Sequence, residues 1–564
     1  MPAYRWDVAA PPPPGALAAF GRIHPLTGQL LYNRGLLSPE QAKARLSTRG
    51  DAWPDPFLLP DMDRAVDALL AARSAPQRVV VYGDFDADGI TGAALLVQGL
   101  RSLGVDAHPY IPHRGREGYG LNVPAMKGLF DEGARLLISV DTGTSAVKEI
   151  TSAAAFGLGV IALDHHAIPP QLPPAVAVVN PHRSGARYPF NGLSGVGVGF
   201  KFLQAVHTAL GSDPSVLEGS LDIVAIGTIA DIAPLQEENR WIVSQGLAIF
   251  NTAPRVGLAA LMQRAGLNRG EVDARDLGFV VAPRINAMGR LDHAMASYQL
   301  LSTSDEVEAA FLAERLEDTN KARRQLTADA VALALDTVDK EDPDAPIVMV
   351  GGPEYPAGII GLVASKLAEE RYRPAVVYEQ GPEHSRGSAR SIPGFSIIAA
   401  LAECRDLFFR HGGHPQAAGF TIETAKLPEL RRRLREVAGA GLAGLDLQPA
   451  LAIEAATPLQ DLLGQPKKLL DRLQPFGEGN PEPVFMTAGL RVLEARGIGA
   501  TGAHLQLQLW EAGHTWRAVG FGMGGRIGEI GHTIDVAYTL ANDRWQGVDR
   551  LQLRLRDFRP AAAR

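Results

Sequence analysis

The chain contains a single cysteine, Cys404, among its 564 residues. One thiol cannot form an internal disulfide, and thiolate zinc sites need several cysteines, so both kinds of cross-link are excluded. No run of about 18 apolar residues occurs, which excludes a membrane-spanning helix. We therefore expect a protein of the reducing cytoplasm with no membrane partner.

The chain also lacks an excess of positive charge. It has 55 Lys and Arg against 62 Asp and Glu, a formal net charge of −7. This balance argues against a uniformly basic surface that coats a duplex, although basic residues that cluster locally could still bind nucleic acid.

The length and the 46% hydrophobic content exceed what one core usually holds, since single cores stop growing at roughly 250 to 300 residues. We expect an α/β multidomain protein. Its parts are an N-terminal appendage (1–75), a parallel-sheet domain (76–300), a connecting helix (301–340), a smaller α/β domain (341–445) and a C-terminal β domain (446–564).

Hydrophobic periodicity supports this division. Apolar runs of strand length alternate with helical stretches in the first and second α/β domains, as expected for sheets covered on both faces. Residues 303–338 lack proline and glycine and have helical spacing, which predicts the long helix. From about Pro483 the pattern alternates with period two, as in residues 504–510 and 551–556, which indicates antiparallel strands.

Acidic residues follow the first apolar run, 79–82. Asp84, Asp86 and Asp88 occupy alternate positions, which in extended backbone would place all three carboxylates on one face. Such a set needs a cation to offset its repulsion. A solvated acidic loop is the plain alternative, and an EF-hand is excluded because Leu95 stands where the bidentate Glu is required.

Two further groups follow strands of the same sheet: Asp141 after 136–140, and Asp164, His165 and His166 after 160–163. Open α/β sheets bind ligands at these carboxyl ends. Carboxylates and imidazoles without thiolates suit Mn²⁺ or Mg²⁺, and so many carboxylates suit two ions sharing one aspartate. The implied chemistry is phosphoester hydrolysis.

These segments, with 227–231 ending in Asp231, resemble the four successive motifs of the DHH phosphoesterases. Four later segments, 282–290, 387–391, 412–420 and 476–481, resemble the RecJ branch of that family, the bacterial single-strand-specific exonucleases. The resemblance covers about residues 75–560. It implies a DHH domain, a DHHA1 domain and a C-terminal OB-like β-barrel.

By resemblance, two Mn²⁺ or Mg²⁺ ions share Asp141 as the bridge. The first ion is held by Asp86 and Asp141, and the second by Asp88, Asp141, His165 and Asp231. Asp84 lies close to the first ion, His166 faces the scissile phosphate and Asp164 orients a neighbour. Many members have a histidine where Tyr82 stands, which implies a first metal site that is weaker or completed by water.

Residues outside the metal cluster are candidates for substrate binding. Arginine suits bidentate phosphate contact, although a solvated surface arginine is the equally common alternative. Tyr119 could stack on a base or simply pack. The candidates are Arg114, Tyr119, Arg290, Ser388, Arg390 and His414.

Two other features have weaker signals. The glycine-rich segment 192–199 lacks Walker spacing, and we interpret it as a close-packed turn near the active site. In the C-terminal domain, Trp510, Trp516 and Trp545 could stack on single-stranded DNA, although core packing is the commoner fate of tryptophan.

The leading hypothesis is a processive 5′-to-3′ exonuclease on single-stranded DNA that acts in recombination and repair. The resemblance implies single-strand-binding protein and a RecQ-like helicase as partners. Two alternatives stay open: a DHH phosphatase of nanoRNA or cyclic dinucleotides, and a noncatalytic replication scaffold.

Overall fold

The structure is a computed structural model that describes residues 4–48, 53–543 and 550–561. Its strands are β1 (Arg5–Val8), β2 (Arg78–Gly83), β3 (Ala107–Tyr110), β4 (Ala134–Val140), β5 (Gly159–Leu163), β6 (Ala177–Val179), β7 (Val348–Gly352), β8 (Ala375–Glu379), β9 (His384–Arg390), β10 (Phe408–His414), β11 (Ala417–Glu423), β12 (Ala450–Ile453), β13 (Ala455–Ala456), β14 (Phe485–Ile498), β15 (His504–Glu511), β16 (His514–Gly520), β17 (Thr533–Asp543) and β18 (Arg550–Pro560).

Its helices are α1 (Pro25–Asn33), α2 (Pro39–Arg45), α3 (Met62–Ser74), α4 (Ala87–Ser102), α5 (Val123–Asp131), α6 (Val147–Ala155), α7 (Gly195–Ala209), α8 (Leu221–Ala230), α9 (Glu237–Thr252), α10 (Val256–Ala265), α11 (Ala274–Asp276), α12 (Ala282–Leu291), α13 (Met295–Ser302), α14 (Glu306–Glu341), α15 (Ile360–Arg371), α16 (Ile397–Ala402), α17 (Leu427–Leu442) and α18 (Gln465–Leu473).

The chain forms two compact units. The first contains the described parts of Thr48–Leu447 with Gly477–Asn480, and the second contains the described parts of Pro2–Ser47, Gln448–Phe476 and Pro481–Arg564. The five domain boundaries expected from the sequence stay a prediction.

The first unit begins with a parallel five-stranded sheet in the order β3-β2-β4-β5-β6. The chain leaves β2 towards β3 on one side and returns to β4 on the other, so the strand order reverses between β2 and β4. In open α/β sheets this switch point, at the carboxyl ends of the strands, is where ligands bind. Both faces of the sheet are covered, which explains why its strands are continuous apolar runs.

The long helix α14 leads to the second sheet of the same unit. This mixed sheet has the order β10-β11-β9-β8-β7, in which β7 and β8 are parallel and the other neighbours antiparallel. α15 packs between α14 and this sheet through a core that includes Val363 and Leu367. The long helix and the smaller α/β domain expected from the sequence are confirmed.

In the second unit, β14, β15, β16, β18 and β17 follow one another, and β17 pairs back with β14 to close a barrel. Leu505, Leu507 and Leu509 point inwards, as period-two alternation requires. The expected OB-like β-barrel is therefore confirmed. Residues of α1, including Leu30, join the same core, and β1 pairs in parallel with β12.

Within the described part of the chain, no helix is both long enough and apolar enough to cross a bilayer. Trp545, a candidate for DNA stacking, lies outside the described residues, as do residues 1–3 and 49–52 of the expected N-terminal appendage.

Candidate metal centre and substrate contacts

The aspartates and histidines selected from the sequence meet at the switch point of the parallel sheet. They fall into three overlapping groups, and in each group one ligand atom per residue lies within 4.8 Å of the others. The groups are Asp84, Asp86 and Asp141; Asp88, His165 and Asp231; and Asp141, Asp164, His165 and His166.

The three carboxylates of the first motif do not share one face, and the expectation of an extended loop is wrong. α4 begins at Ala87, so Asp86 is the residue that caps this helix and Asp88 lies in its first turn. The Asp86 carboxylate accepts hydrogen bonds from the Asp88 and Gly89 amides at 3.1 and 3.2 Å. This bend sends Asp88 towards His165 and leaves Asp84 and Asp86 beside Asp141.

Asn286 on α12 completes this turn, and reasoning from the sequence did not select it. Its side-chain oxygen accepts a hydrogen bond from the Ala87 amide at 2.7 Å. Three residues later on α12, a Cβ added at Gly289 would lie 2.4 Å from the Phe85 carbonyl oxygen. The acidic loop is therefore packed directly against α12, and the only sequence signal was the family-like segment that contains Asn286.

The glycine-rich segment 192–199 forms the start of α7 and fixes Asp88. The amides of Gly195 and Val196 donate to the two Asp88 oxygens at 2.6 and 2.9 Å. The first amides of a helix are free to bind an anion, so this carboxylate is held without a side-chain cation. A Cβ added at Gly195 would lie 2.6 Å from that of Asp141, so only glycine fits.

Asp141 and His165 lie at the centre of the cluster. His165 Nε2 is 3.0 Å from Asp141 Oδ1 and 3.9 Å from Asp88 Oδ2, and its Nδ1 is 3.6 Å from Asp231 Oδ2. Asp141 has a φ of 62°, in the left-handed region that costs energy for a residue other than glycine. Its carboxylate is thus placed between the two outer groups by a strained backbone.

Asp164 organises the two histidines rather than facing the open side of the cluster. It accepts hydrogen bonds from the amides of Thr144, His165 and His166, and it lies 2.7 Å from His166 Nδ1. Burial lowers the pKa of His166, but the hydrogen bond and charge of Asp164 outweigh it and raise that pKa to about 9. Burial and the charge of His166 lower the pKa of His165 to about 4.

Several of the remaining carboxylates are destabilised in their charged form when no metal is bound. Burial and neighbouring carboxylates raise the pKa of Asp88 to about 7 and that of Asp231 to about 9, and they raise those of Asp84 and Asp141 well above the usual range. Within the described residues no donor meets the buried Asp84 oxygens with good geometry, and the Phe85 amide offsets their burial only in part.

Carboxylates that are buried, crowded and short of donors fit divalent cations. The set contains oxygen ligands with one neutral imidazole and no thiolate, which suits Mn²⁺ or Mg²⁺. The ligand atoms form overlapping groups, two of which contain Asp141, and together they are numerous enough for two ions. The assignment of each residue to an ion stays a proposal.

Tyr82 does not face the cluster. Its buried hydroxyl donates to the Gly120 carbonyl at 3.0 Å, and its ring packs on Tyr110 at 5.1 Å between centroids. Tyr110 in turn donates to Glu117 at 2.6 Å. Both tyrosines therefore contact the loop that carries Arg114 and Tyr119, on the side of β2 away from the main core.

That loop reaches the metal cluster at two points. The Tyr119 hydroxyl is 3.2 Å from His166 Nε2, and the tyrosine is 59% exposed, which leaves its ring open to a ligand. The Arg114 guanidinium lies 4.8 Å from the centre of the Phe85 ring. Burial lowers the pKa of Arg114, while the charges of Asp84 and Asp86 act in the opposite direction.

Arg290 and Arg390 join Arg114 from other elements. Arg290, near the end of α12, donates to the Gly358 carbonyl at 3.2 Å. Burial and then the charge of Arg114 lower the pKa of Arg290 to about 10, and the same two causes lower that of Arg390. Three guanidinium groups therefore repel one another beside the cluster, as expected at a site built for an anion.

Ser388 belongs to this basic set, whereas no hydrogen bond or ion pair among the described residues joins His414 to it. Arg390 Nη1 donates to Ser388 Oγ at 3.2 Å, and a Cβ at Gly361 would meet both side chains at 3.0 to 3.2 Å. His414 is exposed at the end of the edge strand β10, opposite Ala417, which pairs with Arg390 across β11 and β9. One strand, β11, lies between His414 on β10 and Arg390 on β9.

In the barrel, Trp510 points outwards and Trp516 packs partly against the core. Trp510 is 40% exposed and lies directly opposite Arg491 and Thr515 on the neighbouring strands. Trp516 is among the partly buried side chains that contact the barrel core. Of these two tryptophans, Trp510 is therefore the one available for stacking.

The parallel sheet with its acidic edge, the second α/β domain and the arginines that both domains contribute define a two-domain phosphoesterase of the DHH class. Three family models match the chain: the DHH family N-terminal domain at residues 78–228, the DHHA1 domain at 344–440 and the RecJ OB domain at 453–557.

The single-stranded-DNA-specific exonuclease RecJ of Bacillus subtilis strain 168 is 35% identical over 559 residues, covering 98% of this chain and 70% of that protein. The crystal structure of RecJ in complex with Mn²⁺ from Thermus thermophilus matches 99% of this chain and 80% of that chain, with a TM-score of 0.84 and 32% identity. The Mg²⁺ complex from the same organism matches 99% and 79% with a TM-score of 0.78 and 30% identity. The chain belongs to the RecJ family.

Proposed function

We propose that this chain is a metal-dependent exonuclease that degrades single-stranded DNA in the 5′-to-3′ direction during recombination and repair. The observation that carries the proposal is the meeting of eight aspartates and histidines with three arginines in one unit. A site of that composition is suited to phosphodiesters. Family membership supports the substrate and the direction.

Asp86 and Asp141, with Asp84 nearby, would hold one divalent ion, and Asp88, Asp141, His165 and Asp231 the other. Two such ions would activate water at neutral pH and offset the charge that develops on both oxygens of an in-line displacement. The residues themselves position the site: α7 fixes Asp88, α12 fixes the turn around Asp86, and the backbone of Asp141 places the shared carboxylate between the two groups.

His166 faces the phosphate in this proposal. Its Nδ1 is bound to Asp164, so the opposite nitrogen, beside the Tyr119 hydroxyl, can donate to a phosphate oxygen. With a pKa of about 9 in the metal-free chain, the ring is cationic at neutral pH and offsets charge on the reacting group.

Arg114, Arg290 and Arg390 with Ser388 would hold the 5′-terminal phosphate, which fixes how far the strand enters and so gives the direction of digestion. Bidentate guanidinium contacts suit a terminal phosphate dianion better than the single charge of an internal linkage. His414 would contact a phosphate further along, because strand β11 lies between it and Arg390.

The barrel would hold the strand beyond the site by stacking on Trp510 beside Arg491. We further propose single-strand-binding protein and a RecQ-like helicase as partners and the cytoplasm as location. These three proposals are supported by family membership and, for the location, by the buried, unpaired Cys404.

The test is digestion in Mn²⁺ of 5′-labelled and 3′-labelled single strands, the matching duplexes and dinucleotides. We expect mononucleotide release from the 5′ end of single strands and little loss of duplex. Cleavage of dinucleotides with no digestion of long strands would instead favour the small-nucleotide phosphatase. Absence of any Mn²⁺-dependent hydrolysis would favour the scaffold, and either result contradicts the proposal.

A further inference from the structure

Two large apolar side chains of the first unit are strongly exposed close to the metal cluster. Ile232, the residue after Asp231, is 68% exposed, and Phe279 is 76% exposed. Single exposed apolar residues are common on protein surfaces and by themselves mean little. What separates these two is their backbone and their position.

Phe279 lies next to the helix that ends at the metal cluster. A Cβ added at Gly278 would be 3.2 Å from Cγ2 of Ile229, so the backbone before Phe279 touches the last turn of α8. Asp231 follows Ile229 by two residues, a rise of about 3 Å along a helix. The exposed ring is thus carried by a segment in contact with the rim of the site.

The backbone at both positions is irregular. Leu277–Val281 forms a single π-helical turn in which Leu277 and Val281 are buried and Phe279 points out. Such turns occur frequently at functional sites. Ile232 has a φ of 59°, which is unusual for a β-branched residue and persists only where the surroundings enforce it. Irregular backbone therefore holds apolar side chains out of the core at this rim.

A cation accompanies the ring. The Arg275 guanidinium lies 5.4 Å from the Phe279 centroid. A flat aromatic surface beside a guanidinium is the combination that binds unpaired nucleobases, because the ring stacks on the base and the cation attracts the neighbouring phosphate. A base inside a duplex is already stacked on both sides and cannot use such a surface.

We propose that Phe279, with Arg275 beside it, is a stacking platform for one unpaired base of the strand whose phosphodiester lies at the metal cluster. The platform deepens the proposed function and rests on it, because it assigns part of the preference for single strands to one side chain. The ligand is a nucleobase of any sequence, since every base presents a stacking face.

The test compares Phe279→Ala, Phe279→Trp and the control Phe311→Ala, which removes another exposed phenylalanine, 64% exposed on α14. Single-strand digestion and dinucleotide cleavage are measured in Mn²⁺ with each purified full-length variant. We expect Phe279→Ala to raise KM for single strands about tenfold with kcat and dinucleotide cleavage nearly unchanged. Phe279→Trp should restore KM, and Phe311→Ala should behave as the parent chain.

A second measurement locates the platform on the strand. Single strands with one abasic position at a time are bound by the parent chain and by Phe279→Ala, and affinity is followed by fluorescence anisotropy. At the position that stacks on Phe279, removal of the base should lower the affinity of the parent chain for the strand. The affinity of the variant should not change. The platform is overturned if no position behaves in this way, or if single-strand and dinucleotide cleavage fall equally.

The two levels of the proposal fail differently. A parent chain that does not digest single strands contradicts the exonuclease. Normal digestion with the same KM in Phe279→Ala contradicts only the platform. Melting temperatures of all variants show whether a loss of activity reflects unfolding.

Discussion

The acidic cluster and the arginine set lie side by side, yet they are built in opposite ways. The acidic residues come from the ends of β2, β4 and β5 and from α8, and backbone amides of two helices hold Asp86 and Asp88 in place. The arginines come from a loop, the end of α12 and β9, and burial together with the charge of Arg114 lowers the pKa of both Arg290 and Arg390. The first is prepared for cations and the second for an anion, so a phosphodiester can lie between them.

Removal of the Asp141 carboxylate, which we propose is shared by the two ions, should have the largest effect on activity. We expect Asp141→Asn to lower kcat by more than about 100-fold, which is the upper range for residues that only support a ligand. Asparagine tolerates the left-handed backbone at this position, so the fold should survive. The measurement is single-strand digestion across a Mn²⁺ titration.

The matched control for this variant is Asp106→Asn, at an exposed aspartate that lies 2.8 Å from His108 on the surface. It should leave both kcat and the Mn²⁺ requirement unchanged. Full activity of Asp141→Asn at the usual Mn²⁺ concentration would mean that the two groups of ligands do not share a residue.

The arginine set should affect substrate binding more than chemistry. We expect Arg390→Ala to raise KM for 5′-phosphorylated single strands about 10- to 100-fold, the loss typical of a hydrogen bond to a charged group. Dinucleotide cleavage and strands without a 5′-phosphate should change less. Arg432→Ala is the control, because that arginine is bound to Glu429 and Glu436 on the surface of α17. Equal losses on all substrates would show that Arg390 does not bind the 5′-phosphate.

The acidic cluster should also make the stability of the metal-free chain depend on pH. In the metal-free chain, Asp231 and His166 bind protons more tightly than they do unfolded, with pKa values of about 9. The folded state therefore holds more protons than the unfolded state between about pH 6.5 and 9, and its stability falls as pH rises through that range. Below pH 6.5 the lowered pKa of His165 acts in the opposite direction.

We accordingly expect the metal-free melting temperature to drop by about 3 to 6 °C from pH 6.5 to 9. Mn²⁺ should reverse the drop, and its stabilising effect should grow with pH because binding displaces protons. Differential scanning fluorimetry with and without Mn²⁺ measures both. A metal-free melting temperature that rises across this window would contradict the proton balance.

Sequence reasoning found the acidic cluster more easily than the supports around it. Asp84, Asp141 and Asp164 each follow an apolar run, so the parallel sheet alone brings them to one edge. Asn286 had no such signal, because its use depends on where α4 begins and on how closely α12 approaches Phe85. The start of α4 at Ala87 likewise could not be read from residue spacing, which had suggested an extended loop.

Tyr82 gives the smallest expected effect and the sharpest test of where the metal site ends. A histidine at this position would imply a metal ligand, but the Tyr82 hydroxyl instead donates to Gly120 in the loop that carries Arg114 and Tyr119. We expect Tyr82→Phe to raise KM for single strands roughly two- to tenfold, since one hydrogen bond that orders the loop is lost. The Mn²⁺ concentration for half-maximal activity should not change.

Tyr298→Phe is the control for Tyr82→Phe, because it removes another buried tyrosine hydroxyl of the same unit outside the loop that carries Arg114 and Tyr119. It should leave KM unchanged. If Tyr82→Phe instead raised the Mn²⁺ requirement and left KM unchanged, Tyr82 would act on the metals. Tyr82 would then belong with the acidic cluster rather than with the loop that carries Arg114 and Tyr119.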